Sequence, residues 1–274
     1  MPDVWASVAD LDEATQERLA AVLETRGADP QQQAMRRAFL ADIAMPPAAS
    51  VLEIGCGTGV LTRMVARLPG VDRVVGVDPA PSLLDKARQL TGDAPNITFQ
   101  EADGRALPFA DASFDVVIFD STLSHVPGPA DALAEAFRVL RPEGWLAVFD
   151  GDYATTTVAL GEHDPLQTVV DMMMAHSVHD RWLVRRLPAL VHQAGFEPVA
   201  FRGHGFVETG GGYMLTVVER GADLLVAAGQ IGVELGSALK AEASRRAEEG
   251  SFFGHIAYGS LTARKRPPPQ TATR

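Results

Sequence analysis

The 274-residue chain contains a single cysteine, Cys56. One thiol closes no internal disulfide and builds no thiolate cluster, which excludes a disulfide-stapled fold and a cysteine-rich metal site. Positive charge is also scarce. There are 24 Lys and Arg against 35 Asp and Glu, a formal charge of −11. So acidic a chain gains nothing from the phosphate electrostatics that dominate nucleic-acid binding, and no nucleic-acid partner is expected. Long apolar runs are missing as well. No stretch of about 20 residues is apolar enough to span a bilayer, and even segment 224–239 carries Gln230 and Glu234. Residues 1–10 show no basic stretch leading into an apolar run, so neither a secretory signal nor a membrane partner is expected. These absences read as a cytoplasmic protein.

The remaining composition is ordinary. Hydrophobic residues make up 46% and charged residues 22%, which excludes wholesale disorder. At about 150 residues per domain, the length allows one or two domains. Residues 1–48 read as helical: Asp10 or Asp12 caps a first helix stopped by Gly27, and Met35, Phe39, Leu40 and Ile43 mark a second. From Val51 the pattern changes. Short apolar strands at 51–54, 74–77, 97–99, 114–119 and 145–149 alternate with helical stretches at 60–68, 79–90 and 130–140. Such alternation predicts βαβ units and a parallel sheet. Past Asp150 the expected elements are helices at 165–179 and 182–194, a strand at 198–207, one or two helices at 221–249, and a last strand at 252–263. A disordered tail is expected at 267–274.

The densest motif is Val51-Leu52-Glu53-Ile54-Gly55-Cys56-Gly57-Thr58-Gly59. Alternate glycines after a strand allow a tight turn and let a ligand lie against the backbone. The helix that follows offers free N–H groups to an anion. Asp78 ends the next strand, where an acid accepts hydrogen bonds from ribose hydroxyls. A dinucleotide fingerprint starting at Gly55 needs Gly or Ala at position 60, and the chain has Val60.

The pattern acid-x-G-x-G-x-G from Glu53 resembles motif I of the class I S-adenosylmethionine-dependent methyltransferases. Further matches are Val74-Val75-Gly76-Val77-Asp78, Ala102-Asp103-Gly104 with Leu107-Pro108-Phe109, Phe114-Asp115-Val116-Val117, and Arg138-Val139-Leu140-Arg141-Pro142-Glu143-Gly144. The resemblance spans residues 35–150 and is similar in subtype to the ubiquinone/menaquinone and natural-product small-molecule methyltransferases. It implies a Rossmann-like, mostly parallel seven-stranded α/β sheet. The expected parts are a helical cap at 1–48 and a core at 49–266, with helical insertions near 155–180 and 215–250, the second before the last strand. The implied cofactor is S-adenosylmethionine. By the same resemblance Gly55, Gly57 and Gly59 line the methionine moiety above Glu53. Asp78 binds the ribose, Pro79 packs on the adenine, and Asp103 and Gly104 contact the adenine edge. Asp120, at the carboxyl edge of the sheet, completes the cofactor set.

A sulfonium methyl needs chiefly an acceptor held in line. A phenol acceptor also needs a base, because it is almost wholly protonated at neutral pH. His125 and His176 are the candidate bases, and Asp150, Asp152 and His179 are the reserves. His176 and His179 alone do not make a metal site, and none is expected. Met172, Met173, Met174, Trp182 and Tyr213 are candidates to line an apolar acceptor pocket. The N-terminal helices are candidates to lid the site or to pair two subunits as a homodimer. The expected function is methyl transfer to an apolar small molecule, with O-methylation first and C- or N-methylation second. Two alternatives stay open: an NAD-dependent oxidoreductase, and a protein that binds S-adenosylmethionine without transferring its methyl group.

Overall fold

The structure, a computed structural model, describes Asp3, Trp5, Val8 and residues 11–266. Asp10 as a helix cap and the expected tail at 267–274 lie outside the described residues. Helix α1 (Glu13–Ala28) starts at Asp12, whose carboxylate accepts from the Thr15 N–H at 3.0 Å. It runs one residue past Gly27. Asp29 then ends α1 and caps α2 (Pro30–Ala41), accepting from the N–H groups of Gln31 and Gln32. Pro30 suits the first helical turn because its missing N–H would have had no partner there.

Seven strands form one sheet: β1 (Ala49–Ile54), β2 (Val71–Asp78), β3 (Ile97–Glu101), β4 (Phe114–Asp120), β5 (Leu140–Thr157), β6 (Phe196–Glu208) and β7 (Gly254–Lys265). Their order is β3-β2-β1-β4-β5-β7-β6. The first five are mutually parallel, and β7 runs antiparallel between β5 and β6. All six residues of β1 are buried, as expected of a parallel strand covered on both faces.

The helices of the core are α3 (Val60–Val65), α4 (Pro81–Thr91), α5 (Pro129–Val139), α6 (Pro165–Ser177), α7 (Leu183–Gln193), α8 (Tyr213–Ala227) and α9 (Val233–Glu248). Strand periodicity sorts their partners. Val51, Val74, Val116 and Ala147 point to the face covered by α2, α3, α6, α8 and α9. Leu52, Val75, Val117 and Leu146 point to the face covered by α5 and α7. Helix α8 crosses α6 with its backbone nearly in contact: a Cβ on Gly221 would lie 2.3 Å from the Val169 carbonyl oxygen. Residue 221 therefore admits no side chain.

Strand β5 departs most from its expected span, 145–149. It continues to Thr157 because β7 supplies an antiparallel partner, with Asp150 opposite Gly259 and Asp152 opposite Ala257. The carboxylates at 150 and 152 hide this extension from a hydrophobic pattern. Strand β7 also outruns its expected end at 263. Its Lys265 ammonium donates to the carbonyl oxygens of Phe137 and Leu140. Among the described residues no helix is long and apolar enough to cross a membrane.

Candidate active site

Strands β1 and β4 are neighbours at the centre of the sheet, and the strand order reverses between them. Open α/β sheets bind ligands at the carboxyl ends of strands at such a switch point. Here the loop after β1 folds back over β2, with the N–H groups of Gly55 and Cys56 donating to the Val77 carbonyl at 2.8 and 2.9 Å. Gly57 has φ +51°, and a Cβ there would stand 2.8 Å from the Leu23 side chain on α1. Asp78 fixes this loop from below. It accepts from the Gly57 N–H and the Ala80 N–H, each at 2.9 Å.

A cavity of about 280 Å³ opens at this point. Among its walls are Glu53, Gly55, Gly57, Asp78, Pro79, Asp103, Gly104, Asp120 and His125. Two residues expected at the site stand elsewhere. Gly59 begins α3 with φ +77°, and a Cβ on it would strike the Phe99 ring at 2.8 Å. It shapes the loop and faces β3, not the cavity. His176 lies outside the cavity on α6, where its Nδ1 donates to the Met172 carbonyl one turn back, at 3.0 Å.

The acids of the cavity sit in different surroundings. Burial pushes Glu53 up from its usual 4.5 to about 8, against the opposing hydrogen bond from Thr62. Burial likewise pushes Asp78 to about 6, partly offset by its two backbone N–H donors. The Arg105 guanidinium holds the Asp103 carboxyl below the usual range. Asp120 pairs with Arg36 at 2.6 Å, both nearly buried. The Cys56 thiol is pushed up by burial and by nearby carboxylates, the opposite of what a nucleophile needs.

His125 ends a short 3-10 turn (Leu123–His125) just past β4. Its Nδ1 meets the Asp3 carboxylate at 2.8 Å, and its Nε2 lies 3.5 Å from the Tyr153 hydroxyl. A carboxylate only accepts, so the ring proton belongs on Nδ1 and Nε2 is left as the accepting nitrogen. Asp150, a reserve base from the sequence, is fully buried and accepts from Ser124 N, Ser124 Oγ and Gly151 N. It buckles the turn to β5. Asp152 pairs with Arg185 at 2.9 Å. His179 offers Asp3 its backbone N–H at 2.7 Å.

The expected apolar liners disperse. Met173 and Met174 are core residues. Trp182 is 46% exposed and stacks on Arg185. Trp5, Leu23 and Val126 line the cavity instead.

Sequence reasoning also missed a closed hydrogen-bonded ring beside the cavity. Arg36 donates to Asp120 at 2.6 Å and to the Gln32 side-chain oxygen at 3.4 Å. Gln32 donates to the Tyr258 hydroxyl at 2.9 Å, and Arg26 donates to the same hydroxyl at 3.4 Å. Arg26 also donates to Ser121 Oγ at 3.2 Å, and Ser121 returns to Asp120 at 3.3 Å. One signal was available. Gln32 and Arg36 share the helical stripe of Met35, Phe39 and Leu40, and a polar pair on a buried stripe requires partners.

With this geometry in place, the chain can be set beside known proteins. A family model described as a methyltransferase domain matches residues 52–148. A 2-phytyl-1,4-naphthoquinone methyltransferase of Thermosynechococcus vestitus is 34% identical over 172 residues, covering 57% of this chain and 76% of the relative. The chain belongs to the class I S-adenosylmethionine-dependent methyltransferases, of the ubiquinone/menaquinone type. A ubiquinone/menaquinone biosynthesis C-methyltransferase of Hahella chejuensis is 42% identical over 120 residues, covering 42% of this methyltransferase and 48% of the relative. The chain spans between 39% and 76% of the length of the first curated relatives it matches. In fold, this methyltransferase is similar to the [4+2]-cyclase SpnF, with a TM-score of 0.61 at 20% identity, covering 98% of this chain and 99% of that one.

The cavity suits the methyl donor. Gly57, on the cavity wall, adopts a positive φ that lets its bare backbone face a ligand. Thr58 Oγ1 is buried on the cavity wall without a hydrogen-bond partner. Asp78, despite its two N–H donors, keeps unused lone pairs on the cavity side.

Proposed function

We propose that this methyltransferase methylates an apolar small aromatic acceptor bearing an ionisable hydroxyl, a phenol or hydroquinol. The observation that carries the reading is His125, fixed by Asp3 and presenting an accepting nitrogen on the wall of the cofactor cavity. In this reading Asp78 takes the ribose hydroxyls, Pro79, Asp103 and Gly104 take the adenine, and the Gly55–Gly57 loop over Glu53 takes the methionine portion. Asp120 acts on the cofactor side only through its pair with Arg36.

S-adenosylmethionine, when bound, supplies an electrophilic methyl group whose bonding electrons leave on sulfur. The protein must make the acceptor a nucleophile. His125 Nε2 removes the hydroxyl proton, and the Asp3 carboxylate stabilises the imidazolium that results. A positioned base of this kind contributes about 10²–10⁴-fold. Trp5, Leu23 and Val126 give the acceptor an apolar bed and exclude water from the phenolate. A phenolate is nucleophilic at oxygen and at the ortho ring carbon. Methylation at oxygen needs no further step. Methylation at carbon gives a dienone that loses its C–H proton to solvent while the imidazolium returns its proton to the oxygen, so one base serves either product.

Between the two products, the similarity to the C-methyltransferase of Hahella chejuensis favours methylation at carbon. O-methylation, placed first from the sequence, is the second reading and rests on the same base. The test is incubation with carbon-13-labelled methyl donor and a panel of naphthohydroquinones kept reduced, simple phenols and amines. Carbon NMR distinguishes a ring methyl from a methoxy group. Labelled product from amines alone would overturn the proposal.

A further inference from the structure

Each charged group on the cavity wall has a partner or a set of donors, with one exception among the described residues. Arg36 pairs with Asp120, Arg105 with Asp103, and His125 with Asp3. Asp78 has two backbone N–H donors, and Glu53 has Thr62. Arg26 has no carboxylate within ion-pair distance among the described residues. Arg26 is 6% exposed and lines the cavity. One nitrogen reaches only two neutral hydroxyls, those of Ser121 and Tyr258. Its Nε is buried with no partner at all. The remaining contact is the Tyr213 ring, 5.1 Å from the guanidinium carbon.

A buried cation that reaches a carboxylate, Asp120, only through Ser121, when that carboxylate is already paired with Arg36, is costly, and an unmade hydrogen bond at Nε adds to that cost. Such a group persists where a ligand completes it. The donor set indicates which ligand. Tyr258 is buried off the cavity wall, accepts from Gln32 and from Arg26, and so holds the guanidinium in place. Arg26, which lines the cavity, offers N–H donors only, the set that recognises an anionic oxygen.

The location indicates whose oxygen. Arg26 joins α1 to Ser121 at the end of β4, to Tyr258 on β7 and to Tyr213 on α8. Helix α1 packs against α3 and α4 beside the glycine loop, but the groups Arg26 reaches stand on β4, β7 and α8, on the other side of the switch point from Asp78 and Asp103 at the ends of β2 and β3. We infer that Arg26, held in place by the Tyr258 and Ser121 hydroxyls, is the oxyanion-recognising end of the acceptor subsite, so that the methyltransferase selects acceptors carrying an enolate, phenolate or carboxylate oxygen. This deepens the proposed function and rests on its placing of the acceptor. The oxyanion is bound and not made at Arg26, and proton removal stays with His125.

The test is binding, not turnover, with the full chain saturated by S-adenosylhomocysteine. The probes are 2-hydroxy-1,4-naphthoquinone, an enolate at neutral pH, and the uncharged 1,4-naphthoquinone of nearly the same shape. The wild-type protein should prefer the enolate by about 10- to 100-fold, the range of one charge-assisted hydrogen bond. Arg26→Met should abolish the preference while leaving S-adenosylhomocysteine affinity unchanged. Arg26→Lys should retain part of it, and Tyr258→Phe should reduce it. The last two variants keep the test alive if Arg26→Met does not fold. Equal affinity of the wild type for both probes would overturn the inference. So would a loss of S-adenosylhomocysteine affinity in Arg26→Met with the enolate preference kept, which would give Arg26 to the cofactor carboxylate. Methyl transfer to phenols without an enolate preference defeats the inference alone. An enolate preference without methyl transfer defeats only the proposed function.

Discussion

The two halves of the cavity are built differently. On the β1–β3 side the wall is mostly backbone, drawn from consecutive residues at strand ends: the Gly55–Gly57 turn, Asp78 with Pro79, Asp103 with Gly104. On the β4–β7 side it is mostly side chains brought from afar: Arg26 and Arg36 come from the N-terminal helices and Ser121 from the end of β4, and Gln32 and Tyr258 hold the two arginines from behind. Backbone recognition tolerates surrounding change, because it depends on φ/ψ and on the absence of Cβ atoms. Side-chain recognition depends on each partner, and a single substitution leaves a buried group unpaired. The lesson is that the cofactor half should fail through shape and the acceptor half through charge.

The largest expected effect tests shape. Gly57→Val places a branched side chain at φ +51°, in a direction where even a Cβ meets Leu23 at 2.8 Å. Calorimetric titration should find S-adenosylhomocysteine binding abolished. Circular dichroism should find the sheet retained, because the turn lies outside the strands. Normal binding would mean the turn does not face the cofactor.

Second in size is the base. His125→Ala should lower turnover about 10²–10⁴-fold with cofactor affinity unchanged. Asp3→Asn should lower it less, because the imidazole remains and only its orienting carboxylate is lost. His176→Ala should have no effect on either quantity, since that ring is engaged with Met172 away from the cavity. Steady-state kinetics beside calorimetry on the three variants separates these outcomes.

Asp78→Asn comes third. The ribose would lose a charged acceptor, worth about 1.5–3 kcal/mol, or roughly 10- to 150-fold in affinity. The amide would also set a donor against the N–H of Gly57 or Ala80. The effect should therefore combine weaker cofactor binding with a less stable loop, the second visible as faster amide exchange at Gly57.

A fourth test concerns pH dependence. Glu53 and Asp78 both have folded values above their usual 4.5 and 3.8, at about 8 and about 6. An acid raised on folding binds more protons in the native state. Its stability contribution is complete below the unfolded value and is lost as pH rises through the folded one. Cofactor-free protein should lose stability between pH 5 and pH 8, at most about 1.4 kcal/mol per pH unit for each group. Glu53→Gln should flatten the upper part of that range. Calorimetric melting at pH 5, 6.5 and 8 measures it, and a variant with the wild-type slope would remove Glu53 as the cause.

Much of the β1–β3 half of the cavity was legible in the sequence because its determinants are local. Glu53 to Gly59 is one continuous turn, and Asp78 and Asp103 follow strands recognisable by their apolar runs. Gly59 was misassigned to the cavity because spacing alone does not tell which way a Cα–H points. Its αL conformation turns that position toward Phe99 on β3. His176 was misplaced for a related reason: the crossing of α6 with α8, set by Gly221 against Val169, decides which face of α6 is turned away.

By itself, the sequence determined the parallel sheet, the order of its first five strands and helices, and the glycine turn with its acids. Each of these follows from hydrophobic periodicity and turn chemistry within about ten residues. Tertiary structure alone decided the extension of β5 past Phe149, which exists only because β7 pairs with it. It alone joined Asp3 to His125, and Arg26 to Ser121 and Tyr258. Those partners are 95 to 232 residues apart, and no local pattern encodes a contact between residues 26 and 258. What brings them together is the sheet order, which sets β7 beside β5 and lays α1 across the strand ends, where a buried guanidinium must find its hydrogen bonds among whatever side chains arrive.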